Sequence, residues 1–147
     1  MIGARPATPS DFERVAALLE VLGRPVVTPA TEEACRRVFA DQVASDSACP
    51  LVVEDGSGYV IGCCSLHFRP RLNRPSPDAW IPDLVVDPAA RRQGAGRALL
   101  EAAERIARER GCWQLTLESG YQRTEAHAMY EGFGMVSDGV YFGKPLA

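Results

Sequence analysis

One run constrains the fold of this chain more than any other: D-L-V-V-D-P-A-A-R-R-Q-G-A-G-R-A-L-L over Asp83–Leu100. Leu84, Val85 and Val86 read as a buried strand. The loop after them carries Arg91, Arg92 and Gln93, then Gly94-Ala95-Gly96, and opens directly into a helix. Glycine lets backbone pass close to a ligand, and the first N–H groups of a helix lack an internal partner. The helix dipole adds partial positive charge at the same point. Strand, basic glycine turn and helix start together predict a cradle for a pyrophosphate. Two common phosphate loops do not fit. A Walker loop needs Lys-Ser/Thr after its last glycine, where this chain has Arg97-Ala98. A dinucleotide fingerprint needs Gly or Ala at the position held by Leu99.

The rest of the pattern alternates strands and helices. Ile2–Arg5 reads as a first strand. Ser10-Asp11-Phe12-Glu13 reads as a capping box, followed by Val15, Leu18, Leu19 and Leu22 at helical spacing and a stop at Gly23. A second helix follows Thr28-Pro29 and Thr31-Glu32-Glu33, with Cys35, Val38, Phe39 and Val43 on its apolar face. Leu51–Glu54 and Tyr59–Phe68 form a hairpin around Asp55–Gly58. Arg69–Asp78 reads as a loop, and Trp80–Val86 as the central strand, with a bulge or an unpaired position at Pro82. Gly94–Arg110 is the main helix, with Ala95, Leu99, Ala102, Ala103 and Ile106 as its buried stripe. Trp113–Glu118 is a strand, Thr124–Gly132 a short helix, and Gly134–Phe142 gives one or two closing strands. The order β-α-α-β-β-β-α-β-α-β predicts an α/β chain, a mixed sheet with helices on both faces, in one domain over residues 1–147.

A net charge of −3 argues against a bulk nucleic-acid binder. No apolar run reaches the roughly 20 residues of a membrane span, and no signal-peptide core opens the chain, so a cytoplasmic protein is expected. The five cysteines show no C-x-x-C spacing and read as reduced, mostly buried thiols, and no metal site is expected. The arginines are clustered: Arg69, Arg71 and Arg74 in one loop, Arg91, Arg92 and Arg97 in another.

Arg91-x-x-Gly94-x-Gly96 resembles the coenzyme A pyrophosphate loop, R/Q-x-x-G-x-G/A, of the GCN5-related N-acetyltransferase (GNAT) superfamily. A second block, Glu125-Ala-His-Ala-Met-Tyr-Glu-Gly-Phe-Gly-Met135, is similar to the family's A-x-x-F-Y-E-x-x-G-F block. Met129 and Met135 stand where aromatics are usual, and Arg123 where many members have asparagine. The resemblance covers roughly Trp80 to Met135 and implies the acyl-CoA acyltransferase fold with acetyl-CoA as co-substrate. It implies that the strand of Leu84–Val86 splays from the strand near Trp113, leaving a gap for the pantetheine arm. The pyrophosphate would rest on the amides of Gln93, Gly94, Ala95, Gly96, Arg97 and Ala98, beside Arg91 and Arg92.

The implied chemistry is direct attack of a small-molecule primary amine on the thioester. An amide near Val85 would serve the oxyanion, and Tyr130 matches the family's general acid for the leaving thiolate. Asp83, ahead of the acetyl-binding segment, is the first candidate base, or else a carboxylate that positions the ammonium; Glu118 is the second. His67, Arg69, Arg71 and Glu118 are expected to line the acceptor pocket. Three arginines in one loop favour an acidic or phosphonate-bearing amine, as in the aminoalkylphosphonate branch. Asp83, Glu54 and Glu118 keep an aminoglycoside acceptor open. A non-catalytic coenzyme A-binding module on the same fold and a dinucleotide-binding fragment are the other classes. A homodimer is compatible with the resemblance.

Overall fold

The structure, a computed structural model, describes residues 2–120 and 122–147. They form two compact units, residues 1–117 and 118–147. The first contains β1 (Gly3–Pro6), α1 (Phe12–Leu22), α2 (Glu32–Ala44), β2 (Leu51–Glu54), β3 (Val60–Cys64), β4 (His67–Arg69), β5 (Asp78–Ile81), β6 (Leu84–Val86), α3 (Ala95–Glu109) and β7 (Leu115–Leu117). The second contains α4 (Thr124–Gly132). The α/β class and the alternation of elements agree with the sequence pattern.

The mixed sheet is divided in two. β1-β2-β3-β6 are antiparallel, and β4-β5-β7 combine an antiparallel pair with the parallel pair β5–β7. Side chains alternate across a strand, so the two faces of the four-stranded sheet take different helices. Val52, Cys63 and Val85 pack with Val15, Leu18 and Leu22 of α1. Leu51, Val53 and Cys64 turn the other way. α3, with Leu99, Leu100 and Ala103 buried, packs against β1, β2, β3 and β6. Gly62 fits only as glycine there, because a Cβ would lie 2.9 Å from Val53 Cγ1 and 3.0 Å from the Val85 carbonyl oxygen.

Five expectations change. A 3₁₀ turn over Pro9–Asp11 precedes the first helix. Thr8 and Asp11, not Ser10 and Glu13, form the capping box, with the Thr8 N–H donating to Asp11 Oδ2 at 2.8 Å. Pro9 explains this, since a residue without an N–H suits the first position of a helical turn. On α2, Val38 is exposed, and only Phe39 and Val43 of the expected face pack on the core. The strand expected over Tyr59–Phe68 breaks at Ser65-Leu66 into β3 and β4, and Arg69 and Asp78 are paired strand residues rather than loop.

The closing strands expected in Gly134–Phe142 are absent from the described residues, and Val136, Val140, Tyr141 and Phe142 are exposed. Alternating apolar residues give a segment a face, but a strand also needs a ladder partner. All five cysteines are free thiols. Burial pushes Cys63 up to about 12, with the charge of Asp83 adding to the effect, so this thiol stays protonated. No helix among the described residues is long and apolar enough to cross a membrane.

Candidate active site

The central run of chain changes sheets in its middle. β5 pairs with β4 and β7, whereas β6 pairs with β3. The break falls at Pro82-Asp83, where proline has no N–H to give a ladder. β7 follows β5 as far as the pair Ile81↔Leu117. β6 then departs as the edge strand of the other sheet. The sequence placed an irregularity at Pro82; the structure makes it the point of divergence between β6 and β7.

Register decides which β6 amides are available. The Ser65 N–H donates to the Asp83 carbonyl at 3.0 Å, and the Asp87 N–H to the Ile61 carbonyl at 2.7 Å. Hydrogen-bonded pairs alternate in an antiparallel ladder, so Cys63↔Val85 is the bonded pair between them. The Val85 N–H therefore faces β3. The N–H and C=O groups of Leu84 and Val86 face the open edge. The outward amides near Val85 are thus those of Leu84 and Val86, one residue to either side.

The loop ahead of α3 enters the helix through two left-handed residues. Gly94 caps the helix in the left-handed region (φ +83°), a conformation that excludes a side chain at little cost only for glycine. Arg92 is also left-handed (φ +67°), strained for a residue with a Cβ. The first intrahelical bond runs from the Ala98 N–H to the Gly94 carbonyl, 2.9 Å. Ala95, Gly96 and Arg97 are thus the helical residues whose N–H groups come before the ladder begins. Ala98, expected among the donors, is already engaged. The first turn contains no acidic residue. Asp87, on the approach from β6, accepts from the Ala89 N–H at 3.0 Å and from Arg14 at 3.2 Å. These bonds hold its carboxyl below the usual range. The Arg91 and Arg92 side chains are exposed, and Arg97 reaches Glu101 at 3.0 Å.

On the other side of the sheet break, the arginine loop is largely occupied by the protein itself. Arg69 Nε and Nη2 each lie 3.0 Å from a different oxygen of Asp78, and Arg71 Nη1 lies 3.0 Å from Oδ2. Asp78 is 1% exposed. Burial alone would raise its carboxyl, but the hydrogen bonds from Arg69 and then Arg71 outweigh it and hold the group below the usual range. Arg69 also stacks over Trp80, 4.5 Å to the ring centre, and Arg74 over Trp113, 3.8 Å. His67 lies opposite Trp80 across β4–β5, with ring centres 5.7 Å apart. Burial lowers the His67 imidazole and the charge of Arg69 adds to this; the charge of Asp83 opposes it, but the net lowering leaves the ring neutral near pH 7.

Asp83 itself is not bare. Arg24 Nε lies 2.6 Å from Oδ1, Ser65 Oγ donates to Oδ2 at 3.3 Å, and the Asp83 N–H donates to Ser65 Oγ at 3.0 Å. Sequence reasoning missed both Arg24 and Ser65. Gly23 was the available clue for Arg24, since a glycine C-cap fixes the residue after it. Glu118 and Tyr130 belong to the second unit. There Tyr130 is half-buried near the end of α4, its carbonyl accepting from the Met135 N–H at 3.0 Å. Gly134 closes the helix in the left-handed region (φ +93°). Among the described residues, no group of three His, Cys, Asp or Glu side chains could hold a metal.

Comparison with known proteins agrees with this architecture. The profile of the acetyltransferase (GNAT) family matches residues 15–135. An uncharacterised N-acetyltransferase of Bacillus subtilis, YhdJ, is 38% identical over 68 residues, a match that spans 46% of this chain and about half (48%) of that relative. The aminoalkylphosphonate N-acetyltransferase of Salmonella typhimurium is 31% identical over 145 residues, 97% of this chain and 90% of that one. A solved structure of a putative acetyltransferase from Agrobacterium tumefaciens superposes with a TM-score of 0.83 at 29% identity, covering 97% of this chain and 99% of that one. The chain belongs to the acetyltransferase (GNAT) family and is an N-acetyltransferase with acetyl-CoA as its acetyl donor.

Proposed function

We propose that this enzyme acetylates the primary amine of a small acidic molecule by direct attack on the thioester of acetyl-CoA. The observation that carries the reading is one βα unit that joins the outward backbone groups of the β6 edge, at Leu84 and Val86, to a helix start whose ladder begins only at the Ala98 N–H. The pantetheine arm adds to β6 as an extra strand would, its amides pairing with those of Leu84 and Val86. The pyrophosphate meets the first turn of α3, with Gln93, Gly94, Arg91 and Arg92 at its rim.

The chemistry asks three things of the protein. The amine must reach the thioester as a free base, with its proton passing to water or to a neutral group. His67, neutral at pH 7, and Asp83 are the residues that orient or relieve it, and Glu118 stands in reserve. The developing oxyanion takes a hydrogen bond from an outward β6 amide. The nitrogen–carbon bond forms, the carbon–sulfur bond breaks, and the thiolate leaves with the electron pair. Tyr130 then protonates the sulfur.

An acidic acceptor is supported by the full-length likeness to an aminoalkylphosphonate acetyltransferase. The arginines around the β4–β5 turn add little to it, because Asp78 takes up Arg69 and Arg71 and Arg74 stacks on Trp113. We further infer one domain over residues 1–147, action in the cytoplasm and no nucleic-acid partner, and the reading is compatible with a homodimer.

A thiol-release assay with acetyl-CoA against acidic, neutral and polycationic amines tests the proposal. Preferred turnover of an acidic amine is expected. Exclusive turnover of aminoglycosides would replace the acceptor class. Acetyl-CoA binding without turnover of any amine would leave a coenzyme A-binding module.

A further inference from the structure

We propose that Arg24 and Asp83 form the charge-reading subsite for the acceptor, Asp83 orienting its ammonium and Arg24 binding an acidic group on the same molecule. The inference rests on the acetyl-transfer reading above and adds the residue that sets acceptor charge.

The two groups meet from different elements. Asp83 is the residue directly before β6, so its carboxylate stands at the start of the edge along which the thioester is proposed to lie. Arg24 comes from the end of α1, where the Gly23 N–H donates to the Glu20 carbonyl and the Arg24 N–H to the Leu19 carbonyl, each at 3.0 Å. That pattern, with Gly23 left-handed (φ +101°), fixes the backbone from which the arginine extends. α1 is in turn packed on β6, with Leu18, Leu22 and Val85 in one core cluster. Both charges are therefore mounted on the same rigid layer.

The guanidinium uses only part of its fork. Nε meets Asp83 Oδ1 at 2.6 Å and Nη2 meets the Pro82 carbonyl at 3.3 Å. The Arg24 side chain is 50% exposed and that of Asp83 23%. Five N–H donors in a plane leave an edge able to hold a second oxyanion. Arg69 and Arg71, the other arginines expected to read such a group, are held on buried Asp78. An acceptor with both charges satisfies both partners of the pair. A polycation instead has to displace Arg24 or set a second positive charge beside it, which is repulsion built against the wrong class.

The test compares wild type, Arg24→Gln and Arg24→Lys on three small amines: aminopropylphosphonate, propylamine and diaminobutane. KM and kcat come from thiol release, and binding without turnover from calorimetry on coenzyme A-saturated protein. Arg24→Gln is expected to raise KM and weaken binding of aminopropylphosphonate by about tenfold to a hundredfold, the scale of a charge-assisted bond. Propylamine should suffer far less, and diaminobutane should gain. Arg24→Lys should recover part of the phosphonate preference, as a point charge without the fork. Equal effects on all three amines would overturn the inference. So would wild-type protein that binds coenzyme A but holds aminopropylphosphonate no tighter than propylamine. Failure of wild type to bind coenzyme A would bring down the acetyl-transfer reading instead, and this inference with it.

Discussion

The start of α3 and the β4–β5 turn are both rich in arginine, yet they are built to opposite ends. At the start of α3 the proposed binding capacity is backbone. The helix ladder begins only at the Ala98 N–H, so the donors before it are set by helix geometry rather than supplied by side chains. At the β4–β5 turn the positive charge is real but spent, because Asp78 accepts three hydrogen bonds from Arg69 and Arg71. Counting arginines in a sequence weighs the two alike. What separates them is one buried carboxylate, and the lesson is that a cation signals a ligand only after its internal partners are subtracted.

The largest expected effect lies outside both regions. Tyr130→Phe keeps the ring and removes the proton, and kcat should fall by about 10²–10⁴-fold with little change in acetyl-CoA affinity. Steady-state kinetics on the best acceptor checks this, and turnover within about twofold of wild type would make Tyr130 a packing residue. Next comes the α3 loop. Acetyl-CoA at one hundred times its dissociation constant should stabilise the wild type by about 2.7 kcal/mol. Gly96→Val puts a branched side chain where backbone must meet phosphate and should erase that thermal shift. A shift retained in full would move the pyrophosphate elsewhere.

The β4–β5 turn should respond in stability instead. Asp78→Asn is expected to cost about 1–2 kcal/mol, less than the ~3–5 of a fully buried pair because Arg69 and Arg71 can rehydrate. Since the Asp78 carboxyl is lowered in the fold, its stabilisation is present above the ordinary carboxylate range and lost as pH falls through its folded value. Chemical denaturation across acid pH should show that loss in the wild type and a flatter profile in the variant. A steep profile in both would assign it to other carboxylates. The smallest effect is expected at His67. Its lowered value means the unfolded chain binds the proton more readily, so stability should decline as pH drops below about 6.5. His67→Asn should remove that contribution, and an unchanged decline would show that His67 does not carry it.

Much of this is legible in the sequence. Gly94, Gly96 and the helix after them stand as expected, because a helix start with glycines is a local feature set by backbone sterics. Pro82 was legible as an irregularity for the same reason. What was not legible is pairing at a distance. Nothing in Trp80–Val86 says that its two halves join different sheets, and therefore nothing says that Leu84 and Val86, rather than Val85, carry the outward amides. Asp78 reads as a loop residue until it is seen buried under Arg69 and Arg71. Arg24 and Asp83 lie 59 positions apart in sequence, and their ion pair becomes visible only when α1 is laid on β6. The apolar alternation after Gly134 misled for the converse reason, since a face was present without a described ladder partner.

The central claim is that backbone donors, selected by strand register and helix start, hold acetyl-CoA. Amide NMR during a titration with acetyl-CoA tests it most directly. The N–H signals of Leu84, Val86, Ala95, Gly96 and Arg97 should move most, while those of Val85 and Ala98, already bonded within the protein, should move least. Large shifts at Val85 and Ala98 with Leu84 and Gly96 unmoved would contradict the account.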